Sequence, residues 1–211
     1  MPVTILLFLK APRPGLVKTR LAKDLGVDGE TTASEIYRKI VKHTVSVIPK
    51  SYNLHIYFAP KEAENEMKAW LGDDIQLYPQ VDGSLGDKLD AACSQSFHKN
   101  PAPLILLGGD CADITEQHLL EAGDHLLNSK PVIGPALDGG YWLLGLHENL
   151  PDIFKNIPWS TSEVYTETMK CFNKLKLSPH SLDLLEDVDD LPSLTRASQK
   201  HSFISKPLST I

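Results

Sequence analysis

Two segments of the chain end an apolar run with an aspartate in a glycine-rich turn. The first is residues 108–113, with the sequence GGDCAD, and the second is residues 138–142, with the sequence DGGYW. An aspartate at the end of a buried strand in an α/β sheet can point into the crevice outside the strand ends, where ligands bind. Carboxylate oxygens are the ligands that hard divalent cations prefer. The pattern therefore predicts that Asp110 and Asp138 lie at one ligand site, with Asp110 binding a metal ion.

Each of these segments also has an ordinary structural interpretation. Asp113 is a second candidate metal ligand, but it could equally cap the helix that is predicted to begin near Thr115. The Asp138-Gly139 pair between two apolar runs is typical of a type I′ hairpin turn. The two roles are compatible, because such a turn would aim Asp138 into the site. The amides of Gly139 and Gly140 would then line a sugar or phosphate pocket.

A cluster of cations follows the first apolar run. Residues 10–20 read KAPRPGLVKTR and include Lys10, Arg13, Lys18 and Arg20. Backbone amides at the start of a helix attract anions, and lysine and arginine add point charge and bidentate hydrogen bonds. The loop is therefore predicted to bind a diphosphate, although an ordinary solvated basic loop has the same composition. Its spacing does not match the Walker phosphate-binding loop.

Three further features have a functional and a structural interpretation. Gly83 and Gly86 precede a predicted helix, where they either let a flat base lie against the backbone or simply form a loop. Trp159 stacks on a sugar face or anchors the core. Asp187 and Asp189 alternate along an acidic run, which is either a solvated face or a strand end that turns one carboxylate toward the site.

Apolar β-rich runs alternate with amphipathic helical patterns along the chain. This alternation predicts one three-layer α/β/α domain with a mainly parallel twisted sheet over residues 1–201, followed by a tail at 202–211. Strands are predicted at residues 3–9, 54–58, 75–78, 104–107, 131–136 and 141–146. Helices are predicted at 19–25, from Thr31 or Thr32 to 48, and at 61–71, 86–98, 115–128 and 162–175.

The composition favours a compact cytoplasmic protein. The chain has 211 residues, of which 42% are hydrophobic, and a net charge of −6, which argues against general nucleic-acid binding. The apolar run at residues 5–9 is too short to span a membrane and lacks the flanks of a signal peptide. The three cysteines show no metal-binding or disulfide pattern, as expected in a reducing cytosol. The eight histidines are scattered, and we interpret them as solvated or packing residues.

Four ordered motifs together are similar to a known family. They are residues 8–22, 108–113, 134–146 and 159–164. The chain resembles the bacterial glycosyltransferase-A-like nucleotide-diphospho-sugar transferases, a family linked to arsenosugar biosynthesis. That family is related in fold to guanylyltransferases of molybdenum cofactor and phospholactate metabolism. The resemblance spans residues 3–195 and implies the glycosyltransferase-A fold.

The resemblance also implies roles for individual residues. A divalent metal, Mg²⁺ or Mn²⁺, would be held by Asp110, and the segment from Asp138 to Tyr141 would line the acceptor or sugar side. The phosphates of a nucleotide would be held by Lys10, Lys18 and Arg20, and its base would be bordered by Gly83 and Gly86. The chain departs from the family pattern where Ala112 replaces a usual proline and where no Thr-Pro pair follows Asp189.

Three functions follow as expectations. The first is metal-dependent transfer of a glycosyl group from a nucleotide-diphospho-sugar to a small-molecule acceptor, with Asp110 and Asp138 as catalytic residues and Asp138 as acceptor base. The second is nucleotidyl transfer from a nucleoside triphosphate to a phosphorylated acceptor, with release of pyrophosphate. The third is a nucleotide-binding module without catalytic activity, which the presence of both aspartates disfavours.

Overall fold

A seven-stranded sheet forms the centre of the computed structural model, which describes residues 2–204. The strand order is β3-β2-β1-β4-β6-β5-β7. Only β6 runs antiparallel to its neighbours, so the sheet is mainly parallel, as predicted. The strands are β1 Thr4–Lys10, β2 Asn53–Ala59, β3 Gln76–Pro79, β4 Leu104–Gly108, β5 Val132–Pro135, β6 Tyr141–Leu146 and β7 His180–Ser181.

Helices cover both faces of the sheet and complete the three layers. They are α1 Thr19–Asp24, α2 Gly29–Ser46, α3 Glu64–Leu71, α4 Leu85–Lys99, α5 Glu116–Leu127, α6 Val164–Lys174 and α7 Leu191–Lys200. Two short 3₁₀ helices lie at Lys61–Ala63 and Pro151–Phe154. The predicted single α/β domain with a three-layer architecture is confirmed.

The alternation of side chains along each strand divides the core in two. Leu7 and Leu9 of β1 face a cluster that includes residues of α2, α3 and α5, whereas Leu6 faces a cluster with α4 and α6. Successive side chains of a strand point to opposite faces, so an uninterrupted apolar run such as β1 requires helices on both sides. The run is buried because both layers are present.

Two local predictions differ from the structure. Helix α2 begins at Gly29 after Asp28, whereas Thr31 or Thr32 was predicted as its cap. The hairpin between β5 and β6 is present, but its turn is not type I′. Gly139 has a φ of 88°, whereas Asp138 is not among the residues of positive φ. A type I′ turn needs positive φ at both central residues.

The end of the chain also differs from the prediction. Helix α7 falls in a region for which no helix was predicted, and it is capped by Asp190, whose side chain accepts a hydrogen bond from the Ser193 amide at 2.8 Å. The predicted tail begins at 202, yet Ile204 is buried and Phe203 stacks on His43 with ring centroids 4.4 Å apart. The rest of the predicted tail, residues 205–211, lies outside the described residues.

Candidate nucleotide and metal site

A cavity of about 600 Å³ opens at the carboxyl ends of β1 and β4. These two strands are parallel neighbours, so the loops that follow them leave the sheet at the same edge. This is the edge at which α/β sheets bind ligands. The charged residues that line the cavity include Lys18, Arg20, Lys88, Asp110, Asp187 and Asp189.

Lys18 is the buried cation at the centre of this charged group. It precedes α1 with a φ of 48°, in the left-handed region, and only 2% of its side chain is exposed. Its Nζ lies 2.5 Å from Oδ1 of Asp110 and 3.0 Å from Oδ1 of Asp189. The loop after β1, the turn after β4 and the segment before α7 therefore meet at one ammonium group.

The segment 187–189 reaches the site by pairing with the turn after β4. Asp187 forms an isolated antiparallel bridge with Cys111, and the amide of Val188 donates to the carbonyl of Asp110 at 3.0 Å. Val188 is buried in the cluster formed with α1 and α2. Since Val188 points inward, the aspartates on either side of it are placed along the cavity, and both line it.

The electrostatics of the cavity are dominated by carboxylates. Burial opposes the charged form of Lys18, but Asp110 and Asp189 outweigh it and raise the pKa of the ammonium. Burial and the neighbouring Asp110 carboxylate raise the pKa of Asp187 to about 7, with further contributions from Asp189 and Asp138. One buried cation therefore does not balance the negative charge of these four side chains.

Replacing Asp187 with asparagine is expected to stabilise the protein. Asparagine resembles the protonated carboxyl group and removes the cost of charging it inside the cavity. Because the pKa of Asp187 is raised from 3.8 to about 7, the folded state retains a proton that the unfolded chain has lost. The gain over the parent protein therefore grows between about pH 4 and pH 7 and stays constant above that range.

Thermal unfolding of the two proteins in chelating buffer at several pH values measures this effect. The matched control is Asp74→Asn, because Asp74 is exposed and does not line the cavity. We expect no pH-dependent gain in the control. A gain for Asp187→Asn that shrinks as the pH rises would contradict the assigned direction of the pKa shift.

Two adjacent glycines shape the turn that carries Asp110. A Cβ at Gly109 would lie 2.5 Å from Cδ2 of Leu9 and 3.0 Å from Cγ2 of Val41, whereas a Cβ at Gly108 would have no heavy atom within 4 Å. Gly109 thus allows the turn to lie directly against β1 and α2. We expect Gly109→Ala to cost about 1–3 kcal/mol of stability through overpacking.

Gly108→Ala is the matched control for this prediction. We expect it to change the free energy of unfolding by less than about 0.5 kcal/mol, because its methyl group meets open space. Chemical denaturation of both variants measures the difference. Equal stability of the two variants would show that the turn does not depend on close packing at Gly109.

Asp138 lies on the hairpin turn beside this cavity. It is exposed, and its Oδ1 accepts a hydrogen bond from the Gly140 amide at 2.8 Å. Its carboxylate is close enough to Asp187 to affect the pKa of that residue. Gly139 packs against Ser162, where a Cβ would lie 2.2 Å from the carbonyl oxygen. The turn thus places Asp138 within electrostatic range of Asp187, although Asp138 does not itself line the cavity.

Asp113 has different partners from Asp110. Its carboxylate receives hydrogen bonds from Lys200 at 2.8 Å and from His201. Burial opposes ionisation of Asp113, but the bonds from His201 and Lys200 lower its pKa. Helix α5 is capped by the side chain of Thr115, as predicted, so Asp113 is not its cap. In this structure Asp113 joins the turn after β4 to the end of α7.

The basic loop divides between the cavity and the surface. Lys10, Lys18 and Arg20 line the cavity, and Lys10 also donates its backbone amide to the hydroxyl of Tyr37 at 3.0 Å. Arg13 instead forms an ion pair with Glu66, with Nε and Oε2 2.8 Å apart. The structure therefore brings three of the four predicted cations together.

The predicted base and sugar residues mainly pack against each other. A Cβ at Gly86 would lie 2.5 Å from Nε1 of Trp159, and the rings of Trp159 and Tyr141 meet edge to face at 6.4 Å. Gly83 has a φ of 125° and lies beside Asp87, which forms a capping box with the Ser84 that precedes α4. Tyr141 lines the cavity.

Gln80 and Lys88 are among the lining residues that were not predicted as site residues. Gln80 donates from Nε2 to the carbonyls of Leu9 at 3.2 Å and Tyr57 at 2.9 Å, and thereby joins the ends of β1 and β2. Lys88 lies on α4 and adds a cation to the lining. Lys88 lies two residues after the predicted start of this helix. A cation in the first turn of a helix that follows a predicted binding loop was the signal that could have identified it.

Comparison with solved structures supports the fold. A protein provisionally named a nucleotide-diphospho-sugar transferase, from Desulfovibrio desulfuricans G20, is 31% identical with a TM-score of 0.87, over 98% of this chain and 92% of that chain. The 4-diphosphocytidyl-2C-methyl-D-erythritol synthase of Anaerococcus prevotii DSM 20548 is 11% identical with a TM-score of 0.59, over 93% and 95% of the two chains. The manganese complex of Rv0371c from Mycobacterium tuberculosis H37Rv is 14% identical with a TM-score of 0.56, over 95% and 100%.

These similarities confirm the predicted glycosyltransferase-A-like fold and support a transferase. A comparison with curated protein sequences gave no match. Within the described residues, no helix combines the length and apolar character needed to cross a membrane. The family model described as "Uncharacterized protein conserved in bacteria (DUF2064)" matches residues 46–161, which is more than half of the chain. The chain therefore belongs to the DUF2064 family and has the fold of nucleotide-diphospho-sugar transferases.

Proposed function

We propose that this protein transfers a glycosyl group from a nucleotide-diphospho-sugar to a small-molecule acceptor in a metal-dependent reaction. The observation that carries the proposal is the meeting of Lys18, Asp110 and Asp189 in the cavity at the strand ends. The buried ammonium can bind phosphate oxygens, and the carboxylates beside it can bind a cation. The 31% identity to a protein provisionally named a nucleotide-diphospho-sugar transferase supports the same class.

Cations on several elements would hold the phosphates. Lys10 ends β1, Lys18 precedes α1 and Arg20 lies in its first turn. Lys88 of α4 lines the same cavity. Arginine offers bidentate hydrogen bonds to phosphate oxygens, whereas each lysine acts as a compact point charge. Fixed cations at this position would stabilise the negative charge that develops on the departing nucleoside diphosphate.

Two carboxylates of the cavity would hold a divalent cation. The pKa of Asp187 is raised because burial and Asp110, Asp189 and Asp138 together outweigh the one buried ammonium. A divalent cation would offset this surplus negative charge, and oxygen ligands suit Mg²⁺ or Mn²⁺. We assign Asp110 as its principal ligand and Asp187 as the second. When bound, the metal would neutralise charge on the diphosphate leaving group.

The acceptor would approach from the side of the hairpin turn. Asp138 is exposed there, and its carboxylate is held by the Gly140 amide. An exposed carboxylate at the rim can accept the proton that an acceptor hydroxyl loses as it attacks the sugar. We therefore assign Asp138 as the acceptor base and place the sugar between the turn and Tyr141, which lines the cavity.

Nucleotidyl transfer is the second candidate. The specific observation in its favour is the backbone pairing of the segments that carry Asp110 and Asp187, which places two carboxylates side by side near Lys18. Such a pair suits a metal-assisted displacement at a phosphorus atom. The same cations would then bind the triphosphate of the substrate, and pyrophosphate would be released.

Product analysis separates these functions. The protein is incubated with Mn²⁺ or Mg²⁺ and with a panel of nucleotide sugars or nucleoside triphosphates, each with a panel of hydroxylated and phosphorylated acceptors. Glycosyl transfer releases a nucleoside diphosphate, whereas nucleotidyl transfer releases pyrophosphate. Release of a nucleoside diphosphate only when an acceptor is present supports the proposal. Pyrophosphate release supports the second candidate, and binding without either product would leave a nucleotide-binding module.

A cytoplasmic location completes the proposal. All three cysteines are free, with Cys93 and Cys111 buried and Cys171 partly exposed. Free thiols are the usual state in a reducing compartment. Burial raises the pKa of Cys111 to about 12, so this thiol stays protonated and is not assigned a nucleophilic role despite its place in the cavity wall.

A further inference from the structure

A second group of side chains that could bind a metal lies beside the outer strand β7, away from the cavity. Glu121 and His125 are one turn apart on α5, and His180 begins β7. Nε2 of His180 lies 2.7 Å from Oε1 of Glu121. The His125 and His180 rings stack with centroids 3.7 Å apart and an interplanar angle of 25°.

The arrangement brings three metal-binding atoms to one point. One ligand atom from each of Glu121, His125 and His180 lies within 4.8 Å of the other two. Within residues 2–204, this is the one group of histidine, cysteine and carboxylate side chains that meets this spacing. All three residues are partly exposed, so an ion can reach them from solvent.

The backbone holds this group away from the cavity. His180 pairs with Val132 and donates its amide to the carbonyl of Pro131 at 2.7 Å, at the amino end of β5. Val132 pairs with Gly145 of β6, and Gly145 pairs with Ile105 of β4, so His180 and Ile105 lie at the same height along the strands. At about 3.3 Å per residue along a strand and about 4.8 Å between strands, His180 lies roughly 20 Å from Asp110. The two groups cannot share one ion.

The chemistry of the ligands differs between the two ends of the sheet. Two imidazole nitrogens and one carboxylate oxygen suit zinc and similar transition metals, whereas magnesium prefers oxygen ligands alone. Glu121 and His125 stand four residues apart on α5. Side chains at this spacing are neighbours on the helix surface and can bind one ion together. A hydrogen bond between His180 and Glu121 also orients both groups before an ion arrives.

We propose that Glu121, His125 and His180 form a zinc-type metal site that is independent of the transferase site. Three protein ligands leave a fourth position of a tetrahedral ion for water. The ion would join α5 to β7, an edge strand of only two residues. Its effect would be to hold β7 against the sheet, whichever reaction occurs in the cavity.

Thermal unfolding with Zn²⁺ tests the proposal on the full chain without a histidine tag. At a hundredfold excess of free Zn²⁺ over its Kd, we expect the melting temperature to rise by about 5–10 °C. We expect this rise to disappear in His125→Gln and in His180→Gln. It is expected to persist in His98→Gln, whose exposed histidine lies on α4, and in Asp110→Asn, which alters the other site.

Cobalt gives a second measurement that does not depend on stability or activity. We expect Co²⁺ to produce the visible absorption of a four-coordinate ion at one equivalent per chain, and we expect His180→Gln to abolish it. The proposal would be overturned if the parent protein gave neither the Zn²⁺-dependent rise nor the Co²⁺ spectrum. It would also be overturned if both signals survived the two histidine substitutions.

Discussion

Asp110→Asn is expected to lower kcat by about 10²–10³-fold while the fold is retained. Asparagine occupies the same volume and can still accept a hydrogen bond from Lys18, whose Nζ lies 2.5 Å from Oδ1 of Asp110. It loses the negative charge that a divalent cation needs. Turnover of the identified substrates at saturating Mn²⁺ measures the effect, and thermal unfolding checks that the variant is folded.

Two further aspartates serve as comparisons for this result. Asp74→Asn changes an exposed residue outside the cavity and is expected to leave turnover unchanged. Asp113→Asn is expected to keep most of its turnover but to lose stability, because Lys200 and His201 lose their charged partner. Unchanged turnover in Asp110→Asn would refute the metal role of that residue. A loss in Asp113→Asn equal to that in Asp110→Asn would instead make Asp113 a metal ligand.

Lys18→Met is expected to reduce both activity and stability. Methionine fills much of the buried space, but Asp110 and Asp189 lose the ammonium that joins them. Each of these carboxylates is nearly half exposed, so water compensates for part of the loss, and we expect a cost of about 1.5–3 kcal/mol. Without this cation, kcat is expected to fall by about 10²–10³-fold, since one fixed stabilising contact to the phosphates is lost.

Lys23→Met is the matched control because Lys23 is an exposed lysine on α1, the helix that Lys18 precedes. Its stability and turnover are expected to match those of the parent protein. Chemical denaturation and steady-state kinetics are measured on both variants. If Lys18→Met were as stable as the control but inactive, the ion pairs would contribute nothing to the fold. If it retained full turnover, the phosphate role of Lys18 would be wrong.

Local patterns predicted the architecture because they report burial directly. The apolar run in β1 requires cover on both faces, and the regular spacing in α2 defines one buried stripe. Asp110 and Lys18 could also be predicted as neighbours, since each follows a buried strand and the carboxyl ends of parallel strands share an edge. The charge of each residue and its position after a strand are sufficient to predict that they lie at the same end of the sheet.

The remaining parts depend on contacts between distant residues. Nothing local to Asp187 shows that its strand will pair with Cys111, and this pairing determines which way the acidic run faces. His180 and Glu121 are 59 residues apart, so their approach follows from the position of β7 beside β5. Helix α7 was missed because it begins within the acidic run, which was interpreted as a strand end or a solvated face.

The ion pair between Lys18 and Asp189 has a consequence for the timing of synthesis. These residues are 171 positions apart, so the ribosome must have added all the intervening residues before the carboxylate can reach the ammonium. Domains are synthesised from the amino terminus, and distant contacts form late. A nascent chain that has completed β1 through β6 would therefore possess most of its sheet but lack the carboxylate of Asp189 beside Lys18. The charged group around Lys18 would thus be complete only after translation has passed Asp189.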